Sequence, residues 1–110
     1  MIYVFDIDGT ICNNTNGNYE SSFPIKERID HINELYDKGN KIIFFTARGM
    51  KRFSGNCEEV NNKFYNFTYE QLKKWGLKFH ELKMCKPEAD IFVDDKGVSD
   101  EHYFSANIRP

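Results

Sequence analysis

The sequence predicts a three-layer α/β domain built on an open parallel sheet of about four strands. Three observations predict it. Short apolar runs alternate with stretches of helical spacing in the order β, α, β, α, β, β. The strand runs are continuously apolar, as suits strands buried on both faces. A polar residue closes three of them, Asp6, Thr46 and Asp94, and open parallel sheets bind ligands at the carboxyl ends of their strands.

Ile2-Tyr3-Val4-Phe5 reads as the first strand, β-branched and aromatic. Residues 9–24 are polar and rich in Asn, Ser and Gly, a loop or small flap. Pro24 stands where a helix would start. Ile25, Ile29, Ile32, Leu35 and Tyr36 then recur at helical spacing, and Gly39 closes the helix. Lys41-Ile42-Ile43-Phe44-Phe45 is the second strand. Residues 49–56 are loop. Val60, Phe64 and Phe67 give a weak helical pattern over 57–67, and Thr68-x-x-Gln71 matches a capping box that restarts a helix. Leu72 and Trp75 supply its apolar side and Gly76 ends it. Residues 77–82 read as a third strand and Ile91-Phe92-Val93 as a fourth. Residues 99–110 carry no firm pattern.

At 110 residues the chain has room for one domain, 1–110, and one modest core. Fifteen Lys and Arg against seventeen Asp and Glu give a net charge of −2, with no basic stripe for nucleic acid or a membrane surface. No apolar run approaches a membrane span, and residues 1–5 lack the basic start and long apolar stretch of a secretory leader. Cys12, Cys57 and Cys85 show neither metal-like nor redox-like spacing. They read as three reduced thiols in the cytoplasm. Cys12 and Cys85 lie near the candidate site in sequence, so a reactive thiol competes there with simple packing.

Asp6-Ile7-Asp8-Gly9-Thr10 follows the first strand. Two carboxylates two apart on an extended segment point to one side. That is unfavourable unless a cation lies between them or one is protonated. Thr46-Ala47-Arg48-Gly49, Lys86-Pro87 and Asp94-Asp95 come later, each beside a strand-like run. Taken singly, each has a plain reading. Asp6-x-Asp8 could cap a turn, Thr46 could cap a helix, and Asp94-Asp95 beside Lys96-Gly97 suits a turn.

Taken in order, the set resembles the haloacid dehalogenase superfamily, over roughly residues 1–97. Most members of that family are Mg²⁺-dependent phosphatases working through an aspartyl-phosphate. The resemblance implies Asp6 as nucleophile and metal ligand. It makes Asp8 the general acid and base, with its backbone carbonyl on the metal. Thr46 would donate its hydroxyl to a phosphate oxygen, and Lys86 would neutralise charge on Asp6 and on the transferring group. Asp94 and Asp95 would complete the Mg²⁺ site, Asp94 directly. These roles answer the chemistry of a phosphomonoester: a carboxylate to take the phosphoryl group, a second to protonate the leaving oxygen, and a hard cation between anions. Arg48 is placed to recognise an anionic substrate. Lys51 and Arg52 read as solvated loop charges.

Many such phosphatases carry a cap domain. Neither residues 9–24 nor the gap from Leu82 to Lys86 has room for one. The chain reads as a minimal, Rossmann-like, capless core. A large substrate or a neighbouring subunit would then cover the site. The favoured substrate is a small phosphorylated metabolite. Short bacterial proteins with the same FDIDGTI…TARG…KP…DDK pattern suggest a sugar phosphate of surface-polysaccharide synthesis. The rivals are a nucleic-acid-end or protein phosphatase and a non-catalytic phosphate-binding module.

Overall fold

The computed structural model describes residues 1–108. Three strands run parallel in the spatial order β1-β2-β3: β1 is Ile2–Phe5, β2 is Lys41–Phe45 and β3 is Glu81–Lys83. Tyr3 lies beside Ile42, Phe5 beside Phe44, and Phe44 beside Leu82. Residues paired in this way share a face of the sheet.

Helix α1, Lys26–Asp37, links β1 to β2, and helix α2, Cys57–Lys74, links β2 to β3. Both connections step the same way across the sheet, so right-handed crossovers put both helices on one face. Ile29 and Ile32 of α1 and Val60, Phe64 and Leu72 of α2 are buried with Phe5, Ile42 and Phe44. Helix α3, Asp100–Asn107, joins the same face. Its Tyr103 lies 6.3 Å from the Tyr3 ring and its Phe104 lies 6.1 Å from Phe5. The opposite face carries the exposed Ile2 and Val4 and an ion pair between Lys41 and Glu81 at 2.8 Å.

The parallel α/β architecture matches the sequence expectation, with three corrections. The sheet has three strands among the described residues, and helices cover one of its faces. Residues 91–93 form no strand: Ile91 is 77% and Val93 91% exposed. Helix α2 runs unbroken through Thr68. Val60, Phe64, Thr68 and Leu72 recur every four residues as one buried stripe, so Thr68 packs inward where a capping residue would face a helix end. The cap lies at Asn56, whose side chain accepts from the Glu59 N–H at 3.2 Å. In the unassigned tail, Ser99 caps α3 by accepting from the His102 N–H; residues 109 and 110 lie outside the described residues. Among the described residues, no helix is long and apolar enough to cross a membrane.

Candidate active site

The turn after β1 sets the first two carboxylates. Thr10 and Ile11 both donate their N–H to the Ile7 carbonyl, and Gly9 donates to the Cys12 carbonyl at 2.9 Å. Gly9 holds φ 81°, a left-handed conformation that a side chain would strain. The chain thereby reverses just after Asp8, leaving Asp6 and Asp8 on the wall of a cleft of about 650 Å³.

Thr46 follows β2 and is buried. Its N–H donates to the Lys83 carbonyl at 3.0 Å, and its carbonyl accepts from the Lys86 N–H at 3.1 Å. Those two bonds tie the end of β2 to the loop after β3. The Thr46 Oγ1 accepts from the Arg48 N–H at 3.1 Å, which leaves its own proton to donate. Lys86 Nζ lies 3.9 Å from Asp6 Oδ1 and 4.7 Å from the centre of the Phe92 ring. Asp6, Thr46 and Lys86 thus converge from the carboxyl ends of three adjacent strands and line one cleft. Burial raises the Asp6 pKa above its ordinary value; the Lys86 ammonium and the Ile7 N–H oppose this, and Asp8 adds to it.

Arg48 departs from expectation. Its side chain is fully buried, and Nε and Nη2 donate to the two oxygens of Asp8 at 2.9 and 3.0 Å. The guanidinium lies 4.6 Å from the centre of the Tyr19 ring, and Nη1 reaches Thr68 Oγ1 at 3.4 Å. Arg48 therefore orients Asp8, where the sequence suggested contact with an anionic substrate. A bidentate pair of this kind fixes a carboxylate in angle as well as position. The sequence pattern marks neither Tyr19 nor Thr68 as a site residue. Thr68 had a signal in its place on the α2 stripe; Tyr19, in a polar loop, had none. The Tyr19 hydroxyl also accepts from the Gly49 N–H at 3.0 Å.

Asp94 and Asp95 do not join Asp6. Asp94 is exposed, and its carboxylate accepts from the backbone N–H groups of Lys96 and Gly97, which lower its pKa. It caps its own turn, as Lys96-Gly97 beside it suits. No group of three or more His, Cys, Asp or Glu side chains among the described residues is placed to hold a metal ion. For Mg²⁺, the cleft offers the Asp6 carboxylate, while the Asp8 carboxylate is clasped by Arg48. Mg²⁺ uses one or two carboxylates with substrate phosphate and water, so this donor set fits it only in part.

The cysteines also differ from expectation. Cys57, at the start of α2, and Cys85, next to Lys86, form a disulfide with Cα atoms 5.6 Å apart. Cys85 adopts φ 71° there. The bond anchors the Lys86 loop to α2. Such bonds persist in oxidising compartments and are rare in the cytosol, so this one runs against three reduced thiols in the cytoplasm. Cys12 is a free thiol in the core. Burial, reinforced by Asp8, pushes its pKa up to about 11, and it packs among the core side chains.

Fold and cleft together define a parallel α/β domain with a carboxylate–lysine cluster at its strand ends. The crystal structure of a structural-genomics target from Vibrio cholerae has this fold: it superposes with a TM-score of 0.88 at 25% identity, over 97% of this chain and 89% of that one. No family model matches the chain, and no curated protein matches it.

Proposed function

We propose that this chain is a phosphomonoester hydrolase of the haloacid dehalogenase type, acting on a small phosphorylated metabolite such as a sugar phosphate. The observation that supports this most is the convergence of Asp6, Thr46 and Lys86 in one cleft. An Asp6 oxygen attacks phosphorus, and the bond from phosphorus to the leaving oxygen breaks. Asp8, protonated on an oxygen released from Arg48, gives the leaving oxygen its proton. Water then attacks the phosphorus of the aspartyl-phosphate and passes its proton to Asp8, and phosphate departs with Asp6 restored. Thr46 donates to a phosphate oxygen, Lys86 offsets the negative charge, and Arg48 holds Asp8 at its angle.

Mg²⁺ belongs to this reading, on Asp6 and the Asp8 carbonyl; when bound it would neutralise phosphate charge. Asp94 reaches such a site if residues 91–93 add to the open edge of β1. Exposed apolar side chains on both partners, Ile2 and Val4 against Ile91 and Val93, support that movement. A second copy of the chain covering the cleft and the polysaccharide pathway belong to the same proposal. The Asp8–Arg48 clasp favours one other reading, a phosphate-binding module without turnover.

The test is phosphate release with Mg²⁺, or with chelator, across sugar phosphates, nucleotides and phosphoamino acids. The expected result is selective, Mg²⁺-dependent turnover that Asp6→Asn abolishes. Folded protein that binds phosphate but turns over nothing selects the binding module.

A further inference from the structure

We propose that Arg52 and Lys63, with Lys51 beside them, bind a second anionic group of the substrate. This rests on the phosphatase reading for the first anion, and it narrows the substrate to a phosphomonoester that also carries another phosphate or a carboxylate. The cleft does not stop at Asp6. A second hollow of about 360 Å³ shares Gly17, Tyr19, Arg52 and Phe64 with it and adds Lys63. Arg52 therefore stands at the junction of the two.

Charge placement carries the argument. Eight of the chain's lysines and arginines, Lys86 among them, have a carboxylate partner within 4 Å. Lys51, Arg52 and Lys63 have none among the described residues, yet all three line these hollows. Lys73, Lys74 and Lys96 also have none, but none of these three lines either hollow. Glu20 is the one acid on the second hollow, against Arg52 and Lys63; Glu88 lies on the rim of the first. The Arg52 guanidinium is steadied over the Phe53 ring at 5.6 Å and the Phe64 ring at 5.8 Å. Its planar fork matches either a carboxylate or a phosphate. Tyr19 and Phe64 form an aromatic wall common to both hollows, against which the uncharged middle of such a substrate would lie.

The experiment is calorimetric titration of the protein with fructose 6-phosphate, fructose 1,6-bisphosphate and 6-phosphogluconate. Wild type is compared with the double variant Arg52→Glu, Lys63→Glu, whose fold is checked by circular dichroism. Both changes fall on exposed side chains. The expected result is that one or both dianchored ligands bind at least about tenfold tighter than the monophosphate, in line with the strength of charge-assisted bonds, and that the ratio falls to near one in the variant. Preference for the bisphosphate identifies the second anion as phosphate, and preference for 6-phosphogluconate identifies it as carboxylate. Equal affinities in wild type, no binding, or a ratio that survives in the variant overturns the subsite. Phosphate release from the same ligands is scored separately. No release alongside an intact binding preference removes the phosphatase reading and leaves the subsite standing.

Discussion

The strand-end cluster and the 87–98 segment carry the same kinds of residue and are held in opposite ways. The cluster around Asp6 is tied together by partners far away in sequence: Asp8 to Arg48, the Thr46 backbone to Lys83 and Lys86, Lys86 to Asp6. In the segment, Asp94 is tied to its own turn, two and three residues on. The apolar residues differ in parallel: Phe5 and Phe44 are buried, while Ile91 and Val93 stand in solvent. A carboxylate joins a shared site when the apolar run that delivers it is packed. When that run is loose, the carboxylate satisfies itself locally.

The largest effects should come from the packed cluster. Asp6→Asn should lower turnover on the order of 10³-fold or more, since it removes the nucleophile, with an unchanged circular dichroism spectrum. Steady-state phosphate release checks this, and retained turnover would dismiss the aspartyl-phosphate. Asp94→Asn sharpens the comparison. If the segment docks on β1 in the working state, this variant should raise the Mg²⁺ concentration for half-maximal rate by about tenfold, as losing a supporting metal contact does. An unchanged Mg²⁺ titration would mean that Asp94 is a turn cap and nothing more.

The disulfide gives the next effect, because it fastens the cluster to α2. Its closed loop spans a sequence separation of 28. By chain entropy, breaking it should lower stability by roughly 3–4 kcal/mol. Urea unfolding of Cys57→Ser, or of wild type with and without dithiothreitol, measures this. A midpoint that ignores the reductant would show that the two cysteines do not bond in solution. Gly49→Ala probes the same cluster from the side. Gly49 sits at φ 81°, and an added Cβ would come within 2.6 Å of the Phe64 ring. The expected loss is about 1–3 kcal/mol from overpacking and strain together, read from the same urea curves.

The legible parts of the fold were those with periodic apolar residues. Ile29 and Ile32 announced α1, Ile42 and Phe44 announced β2, and Asp6 and Thr46 at the ends of β1 and β2 marked the cleft, while Asp94 did not. What stayed hidden was pairing. Nothing in Thr46-Ala47-Arg48-Gly49 says whether Arg48 faces a substrate or a carboxylate forty residues earlier; only packing under the Tyr19 ring decides it. Cys57 and Cys85 have uninformative spacing because the geometry of a bridge depends on where α2 starts relative to the Lys86 loop. Ile91-Phe92-Val93 has the composition of a strand, but composition does not say whether an edge is taken.

The smallest expected effect concerns stability and pH, and it bears on the packed cluster alone. Burial outweighs Lys86 in raising the Asp6 pKa above the ordinary aspartate value of 3.8. The folded protein therefore disfavours the ionised Asp6 relative to the unfolded chain. That penalty is present in full above the folded pKa, fades as pH falls through it, and is gone below 3.8, where both states are protonated. The amide of the Asp6→Asn variant carries no charge at any of these pH values, so the penalty is absent from it. Asp6→Asn should thus be slightly more stable than wild type at pH 7, and the difference should close as the pH is lowered towards 3.8. Thermal melts of the two proteins between pH 3.5 and 7 check it. A variant less stable at pH 7 would show that the Lys86 attraction outweighs burial, and that the cluster binds Asp6 more strongly than it strains it.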